Sequence, residues 1–520
     1  MKPPLIGGRQ PGTRVPAGRD ASQVEPEGGE SFSWSYFRKW FSISPLGNAL
    51  IAAALIIGFY HGWLKRSYPG ALGVFAYDIP LVLGLMVAWW SVQAKRPLFP
   101  GSRTAIALNS VFAICAVYIL LPSDVPWLVR LASLRGWTFS PLMFLVGYHV
   151  LRTPQQLGLM ARLIVLLCIA VTLYGMRQNP ADLLNLAIED EGFRKTIDGS
   201  SYTRQGGGAG FRVFSTFVGA GMFATALACG MVIAIAEITE PRKSLRERLF
   251  WGVGILVSLN GILISGTRSS LITVIIGAVF ISWFRGSLLR FGPVVAVLGV
   301  TAVLVSSTFG VVDSSRLLSA FSPQEIWWRV YIVVGPAIDV LLDNPLGQGL
   351  GHATHGVPVI FGYLVARYKA TPIDGDFGHA AVDFGIIGMV AYSVMMIRAT
   401  QDGTRWAKAL KGTDAETTGI ISAALFVVSL PAFVTGSPFL HVPTGAIIWY
   451  YIGGLNRIYD ERIGGREARP GRWIPGGRLP AGAEGPPMSP TPPTTGAPVV
   501  PSVDTKGAPK PGKARRFLYG

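Results

Sequence analysis

The residues best suited to chemistry are isolated arginines, histidines and aspartates set between apolar runs. Arg268 stands in Ser265-Gly266-Thr267-Arg268-Ser269-Ser270, between two hydrophobic stretches with almost no linker. A guanidinium so near hydrocarbon is costly unless it is paired or faces water, which makes it a functional candidate; the plainer reading is a side chain snorkelling to headgroups. The small residues around it leave room for a bulky ligand. Arg329 follows Trp327-Trp328 in a segment that predicts a helix from Pro323 to Leu342, with proline in its first turn and Asn344-Pro345 beyond its end. Its guanidinium offers a fixed fork of donors to phosphate oxygens, and the same stretch suits an amphipathic helix on a membrane surface.

Gly347-Gln348-Gly349-Leu350-Gly351-His352 follows that helix. It lacks the lysine and hydroxyl residue of a phosphate-binding loop, so it predicts a tight turn. His352 and His355 have a spacing open to a metal, but no third ligand stands at a convincing distance. Asp374, Asp376, His379 and Asp383 cluster at the start of the next apolar run. They could supply a general base beside a membrane-embedded substrate, or form a solvated loop whose aspartate caps a helix. Arg212, in Gly210-Phe211-Arg212-Val213-Phe214-Ser215-Thr216-Phe217, stands at the water boundary of another run. Asp78 and Arg162 lie within apolar runs and are expected to make internal polar contacts.

These residues need a frame, and composition supplies its nature. Half of the 520 residues are hydrophobic, only 14% are charged, and the mean hydropathy is +0.43. Soluble domains carry roughly 25% charged residues. With apolar runs of about 20 residues recurring along the chain, this predicts an all-α, polytopic transmembrane bundle. Spans are expected at about 46–63, 71–93, 104–122, 137–151, 157–176, 213–237, 250–267, 268–284, 291–309, 380–398, 416–436 and 443–456, about 12 in all. Cys115, Cys168 and Cys229 all lie inside apolar runs, which argues against disulfides and thiolate metal sites.

The net charge of +17 calls for a partner or a topology, and topology suffices. With the N-terminus inside, short inner loops hold fourteen basic residues and short outer connections five. That asymmetry predicts both termini in the cytoplasm, and no nucleic acid is needed. Residues 1–42 and the Pro-rich, basic segment 457–520 are expected to be disordered, the latter resting against membrane lipids. The body, 43–456, then exposes two long segments on the outer side, about 177–212 and 310–379, the larger one partly helical. The first sums to zero charge and the second to −2, so their arginines are individual residues among acids. Such a pattern suits an anion held at one point.

Four segments, in order, resemble the superfamily of O-antigen ligases and O-antigen or exopolysaccharide polymerases. FRVFSTFVGAGMFATAL resembles its arginine-led span after the first large outer loop, and ISGTRSSLITV its Ser/Arg signature between adjacent spans. WWRVYIVVGPAIDVLLDNPLGQGLG resembles the arginine–helix–Gly-turn segment of its large loop. Asp374-Gly375 through Gly385-Ile386-Ile387-Gly388 resembles its His-Asn, nine residues, Gly-x-x-Gly element. The resemblance covers roughly residues 100–455.

The resemblance implies a membrane glycosyltransferase acting at the periplasmic face on a glycan carried by undecaprenyl pyrophosphate. It implies no cofactor or metal, with Arg212, Arg268 and Arg329 holding pyrophosphate or glycan. A base on the large loop would activate an acceptor hydroxyl. Where ligases carry histidine this chain has Asp374, with His379 five residues on as the other base, and glycine replaces asparagine. That departure favours a polymerase of repeat units over a ligase onto lipid A core. A flippase and a chain-length regulator are the protein partners this implies. A lipid-linked glycan transporter is the rival of another class, but no internal repeat is visible and the polar candidates stand at span ends.

Overall fold

The computed structural model describes residues 45–68, 73, 75–92, 98–178, 213–286, 322–353 and 375–464. All belong to one compact unit, Met1–Glu467. Every regular element among the described residues is helical: α1 (Pro45–Phe59), α2 (His61–Ser67), α3 (Asp78–Val92), α4 (Arg103–Leu120), α5 (Trp127–Val150), α6 (Pro154–Met176), α7 (Ala220–Ile238), α8 (Leu245–Ser265), α9 (Arg268–Arg285), α10 (Pro323–Asp343), α11 (Gly375–Ala409), α12 (Glu416–Thr435) and α13 (Thr444–Tyr459), closed by a π-helical turn at Asp460–Gly464. Seven of these (α4, α6, α7, α8, α9, α11 and α12) are long and apolar enough to cross a membrane, and α1 and α3 hold shorter apolar helices. The expected span at 291–309, the interior of the first long outer segment (179–212), parts of the second (310–321 and 354–374), residues 1–42 and most of the C-terminal segment lie outside the described residues.

Local sequence sets the helix boundaries. Thr153 and Gln156 form a reciprocal capping box on α6, and Ser244 and Glu247 another on α8. The expected fourth span begins ten residues early, at Trp127, because its two arginines are neutralised. Arg130 points its guanidinium at the carbonyls of Tyr118, Ile119 and Leu121, capping the C-terminus of α4. Arg135 grips Asp78 with Nε and Nη2, each 2.7 Å from a carboxylate oxygen. The expected first span instead breaks at Tyr60, and α3 starts at Asp78 rather than near residue 71. At the other extreme the chain stays helical past the expected boundary at 456, through Tyr459.

The main core is an apolar cluster drawn from nearly every helix, with α7 and α13 buried along most of their length, and a smaller cluster lies between α10 and the head of α11. α5 crosses α13 so closely that a Cβ on Gly453 would lie 2.1 Å from the Phe144 carbonyl oxygen. Small residues at helix crossings are the usual way to obtain such contact in a bundle. Polar ties gather at two opposite ends. At one, Asp402 of α11 accepts from the amide and hydroxyl of Thr104 at the start of α4, at 2.9 and 2.8 Å. There too Arg162 pairs with Glu247 at 2.7 Å, and Arg285 donates to Thr417 at 2.9 Å. The expectation that Asp78 and Arg162 make internal polar contacts is met by both. The other end carries the predicted site.

Candidate functional site

At that end three pieces of chain are locked onto the helices. The first is residues 213–219, leading into α7. Val213 donates to the Ile264 carbonyl at 3.4 Å, joining this segment to the α8–α9 turn. Ser215 adopts φ +55°, a conformation held because Gln178 bonds both its amide (2.9 Å) and its carbonyl (3.0 Å). The Trp63 amide donates to the Thr216 carbonyl at 2.8 Å, while the Thr216 hydroxyl bonds Phe59, so α1 and α2 are fastened here as well. This accounts for the expected span at 213 starting only at Ala220: the intervening residues are fixed turns.

Arg268 opens α9 just beyond the α8–α9 turn and is half-buried. Its neighbours do not simply make room, as the sequence suggested. Ser265 donates to the Ile262 carbonyl at 2.6 Å and accepts from the Thr267 amide at 3.2 Å, and Thr267 donates to Ala220 at 3.4 Å. The hydroxyls build the turn that presents the arginine. Arg268 stands at a helix N-terminus that its N-cap residue Thr267 does not cap through its side chain, so its charge adds to the positive end of the α9 dipole, a combination that attracts anions.

The second piece is the turn after α10. α10 runs Pro323–Asp343, one residue longer than expected, and packs on the head of α11 through Ala337, Val340 and Leu341. The turn then meets α11 where that helix breaks, at Gly385 (φ +63°, ψ −154°). Gln348 donates to the Val382 carbonyl at 2.7 Å and Ile386 to the Pro345 carbonyl at 2.9 Å. Tyr118 bridges the two strands of chain, its hydroxyl 2.7 Å from the Leu346 carbonyl and 2.9 Å from that of Phe384. The glycine run is a tight turn, as expected, with the Gly347 and Gln348 amides engaged by the Asn344 and Val382 carbonyls.

Asp383 pins this assembly. One carboxylate oxygen accepts from Trp137 Nε1 (2.8 Å) and Ser133 (3.0 Å) on α5, the other from the Ala353 amide (3.0 Å). Phe384 is wedged edge-on against Trp137 and Tyr118, with ring centroids 5.0 and 5.2 Å away. The neighbouring His352 imidazole lies 3.6 Å from Asp124, and burial lowers its pKa below the ordinary value despite that carboxylate.

The third piece is the head of α11 itself. The Asp376 amide donates to Gly436 (2.9 Å), and its carboxylate accepts from the Phe439 amide (3.0 Å). Asp376 and Asp383 are both fully buried, which rules out the solvated helix cap, and both are bonded by the chain's own groups. His379, one turn after Asp376, is buried in α11. His441, at the same end, is half-buried, and its withdrawal from water pushes its pKa down to about 4.

Of the predicted residues, the structure therefore places Arg268 and His379 at one end of the bundle. Arg212 and Asp374 lie outside the described residues; their chain neighbours Val213 and Gly375 begin the first and third pieces. Arg329 lies in α10, in its second turn, and its side chain is outside the description. Sequence reasoning missed Ser133, Trp137 and Tyr118, whose partners are more than 200 residues away and leave no local signal. Among the described residues no group of three or more His, Cys, Asp or Glu converges as a metal site would require. No protein-family model matches the chain, and no curated protein is significantly similar to it.

Proposed function

We propose that this chain is an integral membrane glycosyltransferase that polymerises oligosaccharide repeat units carried on undecaprenyl pyrophosphate, at the periplasmic face of the bacterial inner membrane. The observation that carries the reading is the pairing of the four segments that prompted it. The Val213–Ile264 bond joins the first to the second, and the docking of the Gly347 turn on the Gly385 break joins the third to the fourth. Segments distant in sequence are thus joined in two pairs, which supports reading them as parts of one site. Packing alone gives no reason for the arginine-bearing segments to be the ones so gathered.

In this reaction the acceptor hydroxyl oxygen attacks the anomeric carbon of the donor sugar, the bond from that carbon to the pyrophosphate oxygen breaks, and the hydroxyl proton passes to a base. Asp374 or His379 is that base. Arg268, with Arg212 and Arg329, neutralises the charge that grows on the leaving pyrophosphate oxygens. The same chemistry with lipid A core as acceptor is ligation; Asp374 in place of histidine favours the polymerase.

A break within a membrane helix also occurs in transporters, where it lines a substrate cavity. Here the groups freed at Gly385 are taken up by the chain's own turn and by Tyr118, which favours an enzyme over a transporter. Reconstitution with a lipid-pyrophosphate oligosaccharide tests the reading. A ladder of products is expected; single transfer to lipid A core would indicate a ligase, and movement across the bilayer without a new glycosidic bond would overturn the enzymatic reading.

A further inference from the structure

The second half of α10 shows three different faces in successive pairs of residues. Ala337 and Leu341 turn toward the head of α11, Ala337 fully buried in the small cluster there. One position on, about 100° further round a helix, Ile338 and Leu342 are exposed apolar side chains. One position further still, Asp339 and Asp343 are exposed carboxylates. Helical spacing carries the exposed apolar face back through Tyr331 to Trp327. Leu342, Tyr331 and Trp327 are 77%, 70% and 74% exposed. A helix that packed on α11 and otherwise met water would need one apolar face, and α10 has two.

The second apolar face is not an isolated patch. Past Asp343 the chain reaches Leu346, 66% exposed, and turns onto the break in α11, where the Ile386 amide donates to the Pro345 carbonyl at 2.9 Å. Ile386 and Ile387 are exposed there and open a row that continues through Val390, Val394 and Ile397. That row lies on a helix long and apolar enough to cross a membrane, so it faces acyl chains. The α10 stripe therefore runs directly into a lipid-facing surface, while Asp339 and Asp343 keep to another side of the helix. Chemistry changes along the stripe as well. Its aliphatic residues, Ile338, Leu342 and Leu346, are the ones nearest α11, and Tyr331 and Trp327 stand at the far end. Tryptophan and tyrosine favour the headgroup boundary, where an apolar ring can keep its N–H or O–H in water.

We infer that α10 is embedded obliquely in one leaflet of the bilayer, with Leu342 and Leu346 among acyl chains and Trp327 and Tyr331 at the headgroup boundary. Asp339 and Asp343 then face water. The sequence allows a helix lying on the membrane surface; the junction at Leu346 and the two apolar faces make α10 a wedge between α11 and lipid. Lipid becomes the partner of a face that protein leaves bare, and it helps to hold the Gly347 turn in the Gly385 break. Arg329, two positions after Trp327, belongs to the part of α10 at headgroup level. The inference needs only the membrane nature of the bundle and stands whether or not the chain proves to be a glycosyltransferase.

The test uses the full chain in phosphatidylcholine nanodiscs, with a nitroxide on one introduced cysteine: Tyr331→Cys, Asp339→Cys or Leu342→Cys. Native Cys115, Cys168 and Cys229 are buried and escape the label, and the three chosen positions are exposed, so the label displaces no packing. At position 342 dissolved oxygen should relax the nitroxide while a water-soluble nickel chelate does not reach it. At 339 the order should reverse, and 331 should fall between them. Nickel reaching 342 as readily as 339 would place the stripe in water and overturn the inference. A label at 342 that is immobilised and shielded from both reagents would mean a protein partner or second copy covers the stripe, which overturns it equally. The unmodified protein gives a check that needs no variant. A phosphatidylcholine with a diazirine at the end of its acyl chain should mark Leu342 or Leu346; marking of Trp327 alone would reverse the tilt, and no label on α10 would remove the helix from the bilayer.

Discussion

Gly347 and Gly385 press backbone against backbone. A Cβ on Gly347 would come within 2.4 Å of the Gly385 nitrogen, and a Cβ on Gly385 within 2.4 Å of the Gly347 nitrogen. Both residues have positive φ, +81° and +63°. Two glycines 38 positions apart thus solve one problem: they let an external turn reach into a broken helix and satisfy the amides and carbonyls that the break frees. Unsatisfied backbone at membrane depth would cost several kcal/mol per group.

Gly385→Ala should therefore be far worse than a glycine substitution in an ordinary helix, where alanine stabilises. Here alanine meets the Pro345 carbonyl oxygen at 2.3 Å and an unfavourable φ together. A destabilisation of at least ~3 kcal/mol is expected, enough to remove the folded protein from a size-exclusion profile. Gly101→Ala, at an exposed position with open space around its Cβ, is the control that should leave the profile unchanged. A wild-type profile for Gly385→Ala would mean that the turn is not anchored at the break.

Asp383→Ala should unfold or severely loosen the same region without any catalytic explanation. It strands the Trp137 indole N–H, the Ser133 hydroxyl and the Ala353 amide, all buried donors. At about 1–3 kcal/mol per unsatisfied group the loss reaches several kcal/mol. Asp383→Asn keeps an acceptor and should fall between. Thermal unfolding followed by tryptophan fluorescence orders the three proteins. Activity per folded molecule that stays normal in Asp383→Asn separates this structural role from that of a base.

Sequence and structure agree where information is local. The helix from Pro323, the turn at Gly347–Gly351 and the adjoining spans around Gly266 follow from caps, glycines and hydropathy read along the chain. Disagreement arises where a distant partner changes the meaning of a residue. Arg130 and Arg135 look like the end of a span until the α4 carbonyls and Asp78 neutralise them. Asp376 and Asp383 look solvated until the Phe439 amide and Trp137 are found opposite them. Candidate site residues were legible by type, but which aspartates are structural was not, because a buried carboxylate and a catalytic one have the same letter.

Arg268→Ala tests the part of the site that does lie on described residues. The side chain is half-buried at a helix N-terminus, and the turn beneath it is held by Ser265 and Thr267, so folding should survive. Product formation should fall by about 100-fold or more if the guanidinium neutralises a leaving group. Arg268→Lys should recover only part of the rate, since an ammonium lacks the planar fork. Thermal stability within a few degrees of wild type must accompany the loss. Full activity in Arg268→Ala would remove this residue from the mechanism.

Asp460 gives the bundle a pH dependence whose sign can be worked out. Burial raises its pKa to about 6, although the Tyr148 hydroxyl donates to it at 3.0 Å, and Glu461 adds to the rise. A carboxyl that holds its proton more tightly when folded favours the folded state at low pH. The penalty for ionising it is absent below the unfolded value of about 4, develops as pH rises toward 6, and is fully present above. Two units correspond to at most ~3 kcal/mol, and partial exposure reduces that to ~1–2 kcal/mol. Asp460→Asn keeps an acceptor for Tyr148 and removes the ionisation. It should match the wild type near pH 4.5 and melt a few degrees higher at pH 7.5. Parallel melting curves at both pH values would show that Asp460 ionises in the folded protein as freely as it does in water.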